Sequence, residues 1–318
     1  MNQRILGRTG IAVSEIAFGG VEIGLPYGIG VTSQADMPSD AVSIKILHAA
    51  LEQGINFYDT ARLYGRSEDI IGRAFKGQRD RVVLCSKCTH IQKDGGKLPD
   101  ADSLSAIINN SLQESRSSLQ TDYLDVYMLH NATLEILENS AVADTFLALK
   151  RAGIVRAIGV STYSEAETKR AIEQGYWDVI QLAFNLMDQR QAAFFDAAHA
   201  ARIGLVVRSV LLKGILSDRG RNLHPALVRV EDHRKCYLEL LNARIPTLSN
   251  LATKFALSFP QVSSVLVGID RLAYLQGAVA AADGHYLDSD ALARAQELAF
   301  PDPEFVDLPA WDRVGWLK

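Results

Sequence analysis

Short apolar runs recur along the chain at 15–18, 56–59, 82–87, 124–129, 157–161, 179–183, 205–208 and 263–267. Most are apolar through their length rather than alternating, the pattern of strands buried on both faces. Amphipathic stretches fill the intervals. Leu104, Ile108 and Leu112 are spaced by four, with Ser, Asn and Gln between them, and Thr168, Ala171 and Ile172 continue the theme further on. Such stripes belong to helices laid on a sheet. Eight alternating β and α units predict an α/β chain closed into a (β/α)8 TIM barrel.

The competing architecture is an open doubly wound sheet. Holding a dinucleotide, it would carry a GxGxxG turn after its first strand. Here Phe18-Gly19-Gly20 stands at that point, followed by a long loop through Gly24, Gly28 and Gly30 that contains no such motif. Those glycines read either as backbone freedom near a site or as turn residues. Residues 5–11, centred on Arg8-Thr9-Gly10, predict an N-terminal β-hairpin ahead of the barrel. The stretch 213–244 is too long for a simple loop and predicts an extra helix near 238–243. The tail 301–318, rich in Pro, Asp and Trp, is expected to run over the barrel surface, and 1–318 is expected to form a single barrel domain.

Composition narrows the function. A hydrophobic share of 48% fits a core-forming chain, and a net charge of −4 gives no basic footprint for nucleic acid. No apolar run reaches membrane-spanning length, and Met1-Asn2-Gln3-Arg4 leads straight into patterned sequence, so a cytoplasmic protein is expected. Three cysteines make no disulfide framework. Cys85 and Cys88 do match CxxC, but Cys85 lies inside an apolar strand, where residues three apart face opposite sides. Packing is the better reading than redox or metal chemistry.

Chemistry in such a barrel sits where strands end at their C-terminal side. Asp59 ends the second run, Lys87 ends the third and His130 follows the fourth, while Tyr64 lies five residues past Asp59. Each alone has a bland reading as turn former, solvent-facing cation, packing residue or structural histidine. Together they offer a proton donor. A free tyrosine has a pKa of about 10, and the Lys87 ammonium is expected to lower it, with Asp59 holding Lys87 charged. His130 could hydrogen-bond a carbonyl oxygen. Reducing that carbonyl needs a hydride, which no side chain gives, so a cofactor is required. No HExxH or comparable ligand pair suggests a metal, and no GxSxG suggests a hydrolase.

With these residues in view, the chain resembles the aldo-keto reductase family. The resemblance runs through Leu6-Gly7-Arg8-Thr9-Gly10, through Asn56-Phe57-Tyr58-Asp59-Thr60-Ala61 with Tyr64-Gly65, through Leu119–Asp125 leading to Leu129-His130, and through Gly153–Ser161. It implies that Asp59, Tyr64, Lys87 and His130 are the catalytic tetrad. It also implies cofactor contacts. Ser161 and Gln181 match positions that hold the nicotinamide carboxamide, although Thr162 stands where Asn is common. Arg208 replaces a Tyr that stacks on the ring, and a guanidinium also offers a flat face. Gly20 falls in the first loop. Ser209, Leu211, Lys213 and Gly214 resemble the pyrophosphate segment, and Gly268, Asp270 and Arg271 match the adenosine end.

The long first loop and Arg208-Ser209-Val210 look more like the aldose and sugar-lactone dehydrogenase branches. The expected activity is an NAD(P)-dependent oxidoreductase acting on a small-molecule aldehyde, ketone or sugar, with a cofactor-binding regulatory barrel of little turnover as the alternative. NAD is expected over NADP: Asp270 would repel the extra phosphate and could accept from a free ribose hydroxyl, as the acidic residue of Rossmann sites does. Two readings compete with this. Asp270 could simply cap the following helix, and Arg271, turned inward, could bind the phosphate.

Overall fold

The computed structural model describes residues 1–92 and 96–317. Its centre is a closed barrel of eight parallel strands: β3 (Ile16–Gly19), β4 (Phe57–Asp59), β5 (Val83–Lys87), β6 (Leu124–Leu129), β7 (Val155–Ser161), β8 (Val179–Ala183), β9 (Gly204–Arg208) and β10 (Val262–Gly268). β10 pairs with both β9 and β3, which closes the cylinder and leaves no free edge. All eight predicted runs lie on these strands, with ends shifted by no more than two residues. The reason is that each strand is buried on both faces. One face meets an inner cluster that includes Ala17, Phe57, Val126, Ala157 and Val206, and the other meets the helical ring. Leu104, Ile108 and Leu112 form the buried stripe of the helix Ala101–Ser118, which Asp100 caps by accepting from the Ser103 amide at 2.9 Å. Glu165–Gln174 carries a capping box from Ser164 and Glu167.

The N-terminal hairpin is real, with its strands farther apart than expected. β1 (Gln3–Ile5) pairs with β2 (Ala12–Ser14), and the predicted centre is a short 3-10 turn, Gly7–Thr9. Leu6, Ile11 and Val13 join the inner cluster, so the hairpin plugs the end of the barrel where the strands begin. Gly7 has a left-handed φ of 54°, and a Cβ there would lie 2.3 Å from the Gly204 amide nitrogen. Two buried carboxylates tie this end together. Asp178 accepts from Arg8 at 3.0 Å, from Lys150 at 2.6 Å and from the Ile158 amide at 3.1 Å. Asp125 accepts from Arg79, Arg156 and the Leu84 amide.

The helix expected near 238–243 lies earlier. Val228–His233 is α-helical, Arg234–Leu240 continues as 3-10, and Asn242 bridges back to Ile245. Leu238 and Leu240 fall in the 3-10 part of this element, past its α-helical start. The tail forms a short helix, Leu308–Arg313, whose Trp311 is buried. It therefore packs into the molecule instead of merely running over it.

Replacing Asp178 with Ala should destabilise the fold by roughly 2–3 kcal/mol, the upper part of the range for stranding a buried donor. Urea unfolding of the variant checks this, and an unchanged midpoint would show that the carboxylate does not hold the strand ends.

Candidate active site

Asp59 and Lys87 end adjacent strands, and His130 follows the last residue of the next strand, so the barrel register brings all three to one rim. Lys87 is fully buried. Its Nζ donates to Asp59 Oδ1 at 2.5 Å and to the Thr60 carbonyl at 3.1 Å. Across the barrel, Gln181 donates to Asp59 Oδ2 at 2.9 Å. Burial pulls the Lys87 ammonium toward neutrality, but Asp59, Tyr64 and Cys85 together outweigh it, and the net shift is upward. The ammonium therefore stays charged.

Tyr64 comes from the loop after β4. That loop is held by Thr60 Oγ1 donating to Ser67 Oγ at 2.8 Å, and by Glu68, which accepts from Arg62 and from Ser86 at 2.6 Å. It also rests on the glycine loop. A Cβ on Gly24 would stand 1.9 Å from the Tyr64 carbonyl oxygen, and one on Gly65 would stand 2.3 Å from the Gly24 carbonyl oxygen. Gly24 is thus there for close approach, which the sequence left open between freedom and turn. The Tyr64 ring centre lies 5.0 Å from Lys87 Nζ and meets the His130 ring edge-on at 5.3 Å.

The expected lowering of the Tyr64 pKa is corrected by this geometry. Burial raises it most; Lys87 lowers it as anticipated and Asp59 raises it again, so the phenol is pushed up to about 12. Tyr64 is held as a neutral donor. His130 is pushed down to about 2, by burial first and then by Lys87, His90 and Arg208, and is a neutral imidazole. The His90 ring, 5.3 Å away, was not anticipated from the sequence.

From this rim a cavity of about 850 Å³ extends between β3, β10 and the segment after β9. That size suits a small-molecule or cofactor site. Its walls include Gly20, Asp59, Tyr64, His130, Gln181, Arg208, Ser209, Leu211, Lys213, Gly214, Gly268 and Asp270. After β9, Ser209, Leu212 and Lys213 hold left-handed φ values of 58°, 48° and 57°. Non-glycine residues in that region are strained and gather at ligand sites. Three sequence-predicted residues stand apart from the walls. Lys87 lies behind Asp59, Ser161 is buried at the end of β7, and Arg271 is exposed. The Thr162 hydroxyl turns outward to Thr168 at 2.7 Å.

Other predicted contacts are already engaged. Arg208 lies over the Tyr163 ring at 4.2 Å and donates to the Thr162 carbonyl at 2.9 Å. Lys213 pairs with Asp312 of the tail and sits 4.7 Å from the Tyr27 ring centre. Asp270 does not cap the following helix, Leu272–Ala281, whose N-cap is Arg271. Instead it pairs with Arg219 at 2.6 Å and with Arg271 at 3.3 Å. Glu22, Tyr27, Tyr163, Arg219, Leu308, Pro309 and Asp312 also line the cavity and were missed. Their one sequence signal is position in the long glycine loop, in the long stretch after β9 or in the tail, except for Tyr163, which follows β7 two residues past Ser161. Among the described residues, no cluster of three His, Cys, Asp or Glu is arranged to hold a metal, and no helix is long and apolar enough to cross a membrane.

A closed parallel barrel with these groups at the ends of its strands defines a class of nicotinamide-dependent oxidoreductase. The model of the Aldo/keto reductase family matches residues 15–299, and the chain belongs to that family. The holo form of the aldo-keto reductase AKR11C1 from Bacillus halodurans is similar at 26% identity, with a TM-score of 0.78 over 94% of this chain and 96% of that one. The uncharacterized oxidoreductase YqkF of Bacillus subtilis is 28% identical, covering 93% of this chain and 96% of its own length. L-galactose dehydrogenase of Arabidopsis thaliana is 26% identical over 94% of both chains.

The His130 ring should show no titration from about pH 4 to about pH 9, against the ordinary value near 6.5. Nitrogen-15 NMR of the labelled ring reads this directly, and a midpoint near 6.5 would put the imidazole in water. Gly24→Ala should displace the Tyr64 loop and lower turnover without unfolding the barrel, as activity and circular dichroism measured together would reveal.

Proposed function

We propose that the chain moves a hydride between a nicotinamide cofactor and an aldehyde, ketone or sugar, with Tyr64 as general acid in reduction and general base in oxidation. One observation carries this: a neutral phenol, a buried ammonium–carboxylate pair and a neutral imidazole meet beside one cavity of about 850 Å³. The donor set also fits a dinucleotide. Hydrogen-bonding groups stand at one end, strained backbone lies along one wall, and Asp270 with its arginines stands at the far end. A nicotinamide held there would supply or accept the hydride.

The protein's own part is proton management. Tyr64 donates its hydroxyl proton to the carbonyl oxygen as negative charge gathers on it. Lys87, fixed by Asp59, steadies the phenolate left behind. His130, neutral, hydrogen-bonds and orients the same oxygen. Ser161 and Gln181 would face the carboxamide and Arg208 the ring. Gly20, Ser209, Leu211, Lys213 and Gly214 would line the path of the phosphates. Gly268, Asp270 and Arg271 would flank the adenosine. The likeness to L-galactose dehydrogenase over nearly the whole chain supports a sugar substrate.

Tyr64→Phe should cut turnover by roughly 10²–10⁴-fold, the usual worth of a positioned acid, while cofactor affinity stays unchanged. Retention of most of the rate would overturn the mechanism. With the phenol near 12, alcohol oxidation should speed up by about tenfold per pH unit where chemistry limits, because it needs the phenolate, and carbonyl reduction should not. Initial rates in both directions between about pH 6 and 9 test the sign.

We also infer that NAD is preferred over NADP. Asp270 engages both Arg219 and Arg271, the cations that would otherwise meet the extra phosphate. Asp270→Ala should shift the ratio of kcat/KM values toward NADP by about tenfold or more, since a hydrogen bond to a charged group is worth roughly 1.5–3 kcal/mol. A native NADP preference, abolished by Arg271→Ala and untouched by Asp270→Ala, would refute the inference.

A further inference from the structure

The chemistry assigned above leaves one half-buried acid unused. Glu22 sits in the four-residue helix Val21–Gly24, just past the glycine pair that ends β3. Its Oε2 is sealed from solvent and has no hydrogen-bond partner among the described residues. Its carboxyl lies flat over the end of β10: a Cβ on Gly268 would stand 1.8 Å from Glu22 Oε1. Gly268 is what lets the acid lie there, and both line the cavity.

The charges around Glu22 come from several elements. Asp270 follows β10, Arg219 belongs to the segment after β9, and Asp59 ends β4. Tyr27, on Glu22's own loop, has its phenol pushed up by burial and then by Glu22. Asp270 already engages Arg219. A carboxylate at this place would therefore face two others with one shared cation, with one of its oxygens shut off from water. Burial is the largest cause and outweighs the lowering by Glu22's own backbone amide and by Arg219, so the acid is pushed up to about 8. At neutral pH it carries its proton.

The position is also telling. Asp59 marks the end of the cavity assigned to the nicotinamide, and the Arg219–Asp270 pair marks the end assigned to the adenosine. The amide of Gly20, two residues before Glu22, donates to the Asp59 carbonyl at 2.9 Å, and Glu22 itself lies against Gly268, two residues before Asp270. The middle of a dinucleotide is its doubly anionic bridging diphosphate. An ionised carboxylate there would repel it, whereas a neutral carboxylic acid can donate to it.

We propose that Glu22 is a cofactor-binding residue that meets the bridging diphosphate as a neutral acid, its proton donated in a hydrogen bond. The inference rests on the cofactor reading above. A dianion beside Glu22 raises its pKa further, so the nucleotide binds the protonated protein and takes up a proton on binding above about pH 8. Affinity then falls as pH rises through that value. This is the sign required when the ligand prefers the protonated form.

The test is NADH binding by nicotinamide fluorescence from about pH 6.5 to about pH 9.5, in the native protein and in Glu22→Gln, which keeps the shape and a donor. In the native protein Kd should rise by up to about tenfold per pH unit above about 8. In Glu22→Gln it should stay flat and match the native value at about pH 6.5. Calorimetry at about pH 8 in two buffers of different ionisation enthalpy should find about half a proton taken up by the native protein and none of that in the variant. A flat native profile, the same slope in Glu22→Gln, or weakened binding of that variant at low pH would each overturn the proposal. If neither protein binds NADH at any pH, the cofactor reading itself falls, and this inference with it.

Discussion

An ammonium ion removed from water costs several kcal/mol unless a carboxylate and further acceptors surround it. Lys87 is such an ion, and the top of the barrel is arranged around meeting its needs. Asp59 comes from the preceding strand, the Thr60 carbonyl from the loop beyond it, and Gln181 fixes the far oxygen of Asp59 from the opposite wall. Once that pair is placed, its neighbours inherit their states. The charge draws on Tyr64, discourages a proton on His130, and with Asp59 nearby leaves Cys85 a thiol pushed upward mainly by burial. The phenol then keeps its proton at neutral pH.

The two ends of the barrel use carboxylates for different purposes. Where the strands begin, Asp125 and Asp178 are each bonded to two basic side chains and to a strand amide. Their acceptor capacity is spent on architecture. Where the strands end, acids are left with capacity in hand or, like Glu22, with an oxygen that has no partner among the described residues. This division is the one expected of the fold, with stability on one face and chemistry on the other.

How much of this was legible in the sequence depended on how local the cause was. Strands buried on both faces show themselves as apolar runs, and the helix stripe at Leu104, Ile108 and Leu112 shows as a spacing of four, because each is fixed by its own segment. The pleat settled the CxxC motif in the same way. Cys85 faces the inner cluster and Cys88 the outer one. Asp59, Lys87 and His130 were legible because strand ends share a rim. What could not be read was pairing at a distance. Nothing near Asp270 in the sequence announces Arg219, fifty-one positions earlier, and nothing near Lys213 announces Asp312. The sign of the Tyr64 shift was missed for a related reason: a neighbouring charge can be guessed from sequence, but the depth of burial that outweighs it cannot.

The chain's two extremities lie at opposite poles of the barrel axis. The opening hairpin stoppers the pole where the strands start, while the closing helix sends Leu308, Pro309 and Asp312 to the cavity mouth and Asp312 to the ammonium of Lys213. A fusion partner, purification tag or surface tether at the amino end is therefore held a full strand's length from Tyr64 and His130. The same addition at the carboxyl end starts beside the mouth of the cavity that Tyr64 and His130 line.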